Sequence, residues 1–242
     1  MKDKLFAVLY FFGIAAFLRR KKCHSPKKLP DTQSVTILSL HRISDDKDPC
    51  WQPISPRLFE QLLQYVGKNY RVIRFSDIAE QLKSNTENAK PLLILTFDDG
   101  YRDFMQYALP LLQKYQLPCN HNFVIDCLQD NALIWTQRLN AIFNHLQPSN
   151  KKISLSPIAP NTLPISIDFS RPDWYAQYIH IFKNMLVMPH NQRIEQIKIW
   201  EFEQQTSPYL PNMMNWDDLK DCHRSGLVEI GSHTYTHDVM ST

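Results

Sequence analysis

Two groups of residues have the types and spacing for metal-assisted chemistry: Asp98 with Asp99, and His233 with His237. The carboxylates follow directly on the apolar run Pro91 to Phe97 and precede Gly100. In parallel α/β folds, strand ends are where ligand-binding and catalytic groups collect. Neighbouring strand residues point to opposite faces, but a turn at the strand end can re-aim one and bring both carboxylates into one site. The pair can equally cap a helix beginning near Arg102. His233 and His237 follow a second apolar strand, and a spacing of four puts both rings on one face if the turn there is helical. Alone, such a pair is common on protein surfaces. With one carboxylate it forms a donor set that leaves positions open on zinc, iron or a similar ion. The second carboxylate is then free to take a proton.

These groups need a scaffold, and the chain reads as alternating strands and helices. Val35 to Leu40 is apolar and β-branched, a short buried strand. Ser55 can cap a following helix with Pro56 in its first turn and Leu58, Phe59, Leu62, Leu63 and Val66 on one face. Arg71 to Ile73 is a second strand, and Ser76 is placed to cap a short helix through Leu82. Pro91 to Phe97 reads as a strand covered on both faces. A helix bearing Phe104, Ala108, Leu111, Leu112 and Tyr115 leads to a strand over Asn120 to Ile125. The order predicts an α/β class with a mostly parallel sheet wrapped by helices, open or closed as a barrel. His121, inside a strand and without a partner by periodicity, is assigned to structure.

The alternation breaks over residues 128–214, a proline-bearing insertion with helical segments at Gln137 to Leu146, Asp173 to Met188 and Gln192 to Gln205. Its middle, Lys151 to Pro172, reads as irregular. A structural cap is the simpler role for it, and substrate contact the other. The core pattern resumes at Asn215 with a capped helix Trp216 to Ser225, Gly226 as its closing glycine, and a strand Leu227 to Ile230.

Thr96-Phe-Asp-Asp-Gly100 followed by Glu229-Ile-Gly-Ser-His-Thr-Tyr-Thr-His237 resembles the first two motifs of the NodB-type polysaccharide deacetylases, carbohydrate esterase family 4. Ser39-Leu-His-Arg-Ile43, Asn122 to Ile125 and Asn215 to Lys220 are similar to the flanking segments of that family. The resemblance implies a partial, distorted (β/α) barrel over residues 35–242, carrying the helical insertion. It implies Asp98 as general base and Asp99, His233 and His237 as ligands of a divalent metal, zinc first, with iron, cobalt or nickel as other candidates. Thr234 is then expected to hold the histidine turn, and His41 to stand at the site edge or in the core. The implied reaction is removal of acetyl groups from N-acetylated sugars of a polysaccharide or lipid-linked glycan. The family's later motifs supply an oxyanion donor, a partner for the base and a histidine acid, and none occurs in the five residues after His237. The sequence is therefore expected to be a fragment, a truncated product or one part of a split enzyme completed by another chain, binding metal weakly and turning over little. The rival expectation is a non-catalytic carbohydrate-binding or interaction module.

Composition excludes other classes. The net charge of +3 comes from 27 basic and 24 acidic side chains, too balanced for a nucleic-acid surface. Five cysteines without a Cys-x-x-Cys indicate buried thiols, not a disulfide framework. Residues 1–22 hold an apolar run, Leu5 to Leu18, with Arg19, Arg20, Lys21 and Lys22 at its end, and residues 23–34 are a polar linker. The run is shorter than a usual span of about 20 residues. It fits an interfacial helix, a short signal anchor or a buried helix. Membrane association at the cytoplasmic face is the expectation from its basic end.

Overall fold

A computed structural model describes residues 34–84, 90–130, 133–157, 164–206 and 212–238. The apolar N-terminal run and Cys23 lie outside these residues. Among the described residues no helix is long and apolar enough to cross a membrane.

Five parallel strands form the main sheet: β1 (Val35–Leu40), β2 (Arg71–Val72), β3 (Leu92–Phe97), β4 (Cys119–Phe123) and, after an antiparallel hairpin of β5 (Lys152–Leu155) and β6 (Ile165–Asp168), β7 (Val228–Ser232). The protein is thus α/β, with a parallel sheet as the alternating pattern predicts. Strand β3 lies at the centre and is buried along its whole length. It pairs with β1 from Leu92 to Phe97, so β2 and β4 share its other edge, β2 at Leu92–Leu93 and β4 at Thr96–Phe97. Strand β4 then pairs with β7.

The register sorts side chains into rows. Leu40, Phe97, His121 and Ile230 align on one face, and Ser39, Thr96, Asn120 and Glu229 on the other. The first face packs against α1 (Pro56–Asn69), where Phe59, Leu62, Leu63 and Val66 are buried as the helical spacing predicts. Each such side chain contributes roughly 1.5–3 kcal/mol by leaving water, so the apolar stripe holds α1 more firmly than helix propensity does. Ser55 caps α1, its hydroxyl accepting from the Leu58 amide at 3.3 Å. A π-helical turn (Phe104–Ala108) runs into α3 (Leu109–Tyr115) on the same face. Pro110 supplies the reason for the π turn: it has no N–H to donate back, and its ring crowds the preceding turn of an ordinary helix.

The second face is covered less evenly. Helix α2 (Ile78–Ser84) packs Ile78 and Leu82 over Leu92 and Ile94, while Ile37 remains 55% exposed. Complete cover on both sides, expected from the apolar β3, is found for β3 alone. Ser76 does not cap α2. It lies within a 3-10 turn, Phe75–Asp77, and its amide donates to Glu229 Oε2 at 3.2 Å, tying this loop to β7.

The insertion begins with α4 (Cys127–Asp130) and α5 (Trp135–Leu146), continues through the β5–β6 hairpin, and ends with α6 (Trp174–Leu186) and α7 (His190–Glu203). The hairpin corrects the irregular reading of Lys151 to Pro172. Ile153, Leu155, Ile165 and Ile167 alternate with polar residues, and Pro157 and Pro164 flank the strands without interrupting them. Trp135, Phe143, Tyr178, Ile197 and Trp200 give the insertion a core of its own. The chain returns through Met213, which bridges Tyr101, and Met214, whose amide donates to Gly100 O at 2.8 Å. Helix α8 (Trp216–Arg224) follows, with Asn215 accepting from the amides of Asp217 and Asp218, and Gly226 closes the segment at φ 70°. Cys50, Cys119, Cys127 and Cys222 are buried free thiols.

Candidate metal centre

At the end of β3 the chain turns through two left-handed residues, Asp99 at φ 78° and Gly100 at φ 90°. Asp98 is still part of the strand pattern: its amide donates to Leu40 O at 3.0 Å and its side chain lies on the polar face. The left-handed turn aims Asp99 elsewhere, which is how two adjacent carboxylates reach one site. A Cβ on Gly100 would come within 3.0 Å of the Phe123 ring, so space and φ both demand glycine.

His233 and His237 come together without the helical turn on which the reading of their spacing is conditional. Among the described residues after β7 there is no helix. The segment is folded by Thr234 at φ 66° and His237 at φ 61°. A threonine in this region is strained, and neighbouring groups hold it there: Thr234 O accepts from the Ile125 amide at 3.3 Å and its hydroxyl from the Asp238 amide at 3.2 Å. His237 Nε2 lies 3.1 Å and His233 Nε2 3.5 Å from Asp99 Oδ1. One ligand atom from each of these three residues lies within 4.8 Å of the others.

This donor set fits a divalent ion. Asp99 is 1% exposed, and neither of its oxygens has a well-aligned hydrogen bond despite the short distance to His237. A buried carboxylate left in that state is costly unless a cation completes it. Burial alone pushes the Asp99 carboxyl upward, but His237 beside it, with His41 and His233, holds it below its ordinary value. Two imidazole nitrogens and one carboxylate match a zinc site with positions left open.

Asp98 lies outside that set, and its side chain is held by partners that spacing does not reveal. Ser39 donates to Oδ2 at 2.9 Å and Asn122 donates to Oδ1 at 2.8 Å. Asn122 sits on β4 opposite Gly231, where a Cβ would meet Asn122 Oδ1 at 2.2 Å. Glycine in β7 is thus what admits the residue that orients Asp98. Gly231→Ala should displace Asn122 and cost about 1.5–3 kcal/mol, the range for hydrogen bonds to a charged group. In the Asn122→Ala background the same alanine should cost much less, and urea unfolding of the four proteins measures that coupling. Equal costs in both backgrounds would remove Asn122 as the reason for the glycine.

The insertion reaches the centre as well. Trp135 donates from Nε1 to His237 O at 3.1 Å, and Arg193 donates to Asp238 Oδ1 at 3.0 Å. Arg193 is 3% exposed, lies over the Trp135 ring at 4.4 Å, and donates to the carbonyls of Met185, Leu186 and Met188. A single guanidinium thus closes the end of α6 and holds the histidine turn. His41 packs edge-on against Trp51 at 4.7 Å and lines a cavity shared with His237. His121 is buried with neither nitrogen partnered, stacked on Phe123 at 4.2 Å. Its place in the apolar row accords with a structural residue.

Residues 85–142, a span that includes β3 and reaches into α5, match the family model for polysaccharide deacetylase. Over that span the chain is similar to polysaccharide deacetylases. The matched span contains the Asp98-Asp99 turn. No curated protein matches. Among solved structures, the chain is similar to a de-N-acetylase from Aggregatibacter actinomycetemcomitans at 19% identity and TM-score 0.43, covering 82% of this chain and 54% of that one. It is similar to the BpsB deacetylase domain from Bordetella bronchiseptica at 20% identity and TM-score 0.40, covering 84% and 57%. IcaB from Ammonifex degensii matches at 21% identity and TM-score 0.36, covering 48% and 51%. The chain spans about half the length of each of these structures.

Proposed function

We propose that this chain carries the metal and base chemistry of a hydrolase that removes acetyl groups from N-acetylated sugars of a glycan or lipid-linked glycan. One observation carries the reading: a three-residue metal donor set stands beside a separate carboxylate that two side chains hold in place. A divalent ion, zinc first, supplies a Lewis acid that polarises an acyl carbonyl and acidifies a water. Asp99, His233 and His237 are the residues to hold it. Asp98 takes the proton of the attacking water. Each of its oxygens accepts one bond, from Ser39 or Asn122, which leaves a lone pair on each for that proton. Thr234 keeps the histidine turn in its left-handed form, and His41 stands at the edge of the site. The apolar run Leu5 to Leu18 with its basic end supports a membrane surface as the place where substrate is met, on the cytoplasmic side.

The test compares the chain with Asp98→Asn at matched zinc occupancy. Acetate release from an N-acetylated chitooligosaccharide is expected to fall by roughly 10²-fold or more in the variant, while zinc affinity stays unchanged. Loss of zinc in Asp98→Asn would make Asp98 a ligand, and equal rates in the two proteins would remove it as the base.

A further inference from the structure

A cavity of about 230 Å³ opens beside the metal centre, between the loop after β1 and the insertion. His41 and Trp51 line it from the loop, Thr136 from α5, Tyr175 and Phe182 from α6, and His237 from the histidine turn. Because His237 is both a wall of the cavity and a proposed ligand, anything held there lies next to a group bound at the metal. Most of the remaining wall comes from helices outside the parallel sheet. We propose that this cavity is a subsite for one pyranose ring of the substrate, built by the insertion, an inference that rests on the reading of the centre given above.

Three observations select a sugar ring. The walls are aromatic, and flat rings such as Trp51 and Tyr175 match the C–H face of a pyranose while its rim carries hydroxyls. Tyr175 stands 45% exposed at the mouth, where a large apolar ring gains most from being covered. The Thr136 hydroxyl is buried in a residue only 4% exposed and has no hydrogen-bond partner. A buried hydroxyl in that condition is paid for only if something completes it, and a sugar hydroxyl or amide does so. An alkyl chain would gain nothing from that hydroxyl, whereas a sugar hydroxyl or amide gains a hydrogen bond. The volume is below the roughly 300 Å³ at which pockets for larger ligands begin, so it takes one ring, with the rest of the glycan running out past Tyr175.

The experiment titrates the chain with tri-N-acetylchitotriose by calorimetry and saturation-transfer NMR, with and without zinc, alongside Tyr175→Ala and Thr136→Val. Zinc affinity and thermal midpoint are measured in parallel to show that each variant is folded. Expected are about tenfold weaker sugar binding in Tyr175→Ala and about fivefold in Thr136→Val, the latter the loss of roughly one hydrogen bond. Zinc affinity is expected to be unchanged in both. Sugar binding equal to that of the parent in both folded variants overturns the subsite, as does zinc uptake by the parent with no sugar binding. Tighter binding of an N-butyryl than an N-acetyl trimer also overturns it, by putting the acyl chain in the cavity. A parent that binds sugar through Tyr175 and Thr136 but takes up no zinc keeps the subsite and removes the metal reading instead.

Discussion

Asp99→Ala is expected to lower zinc affinity by more than about a hundredfold, since loss of an outer partner to a ligand alone costs about 10–100-fold. Asp99 supplies the only carboxylate of the three-residue set among the described residues. Its oxygens have no other aligned partner, so nothing in the protein compensates when it is removed. Zinc should therefore raise the thermal midpoint of the parent chain, by the usual linkage between binding and folding, and leave that of Asp99→Ala where it was. Asp98→Ala should keep the zinc-induced shift. Imidazole must be deprotonated to bind, so the shift should also shrink on acidification. An Asp99→Ala chain that binds zinc as tightly as the parent would dismantle the proposed centre.

The second large effect concerns stability in acid and centres on His121. Burial holds its imidazole far below the ordinary 6.5, down to about 3, although Asp99 pulls the other way. Above the unfolded value both states are neutral and the residue is silent. As pH falls below 6.5 the unfolded chain takes up a proton that the folded chain refuses, so folding stability is lost progressively until pH nears 3. Fully expressed, a shift of that size corresponds to at most about 5 kcal/mol. His121→Phe should remove this contribution and suits a position stacked among Phe97, Phe104 and Phe123. The measurement is denaturant unfolding at pH 7 and pH 4 in chelator, for parent and variant. The parent should lose several kcal/mol more between the two pH values than the variant. Identical losses would show that His121 finds a proton acceptor in the folded state.

Much of the scaffold is legible because it rests on local pattern. The fully apolar β3, the stripe of α1 and the Asn215 cap each declare themselves within a few residues. So does the pairing of a carboxylate turn with a histidine pair after another strand. The insertion's three long helices are legible too, but the β5–β6 hairpin is obscured because its short alternation stands between prolines.

Residue types and spacing by themselves determined the α/β class, the order of the parallel strands along the chain, and the four side chains Asp98, Asp99, His233 and His237 as a candidate site. How those four meet was decided only in three dimensions. Left-handed turns at Asp99, Thr234 and His237 are strained conformations that no spacing announces, and they persist because distant groups such as Ile125, Trp135 and Arg193 hold the chain there. Ser39 and Asn122 reach Asp98 only because parallel register stacks three strands side by side. The aromatic cavity likewise needs the insertion folded against the loop after β1. A sequence states which groups are available within one element. Strand register and packing between elements decide which of them face one another.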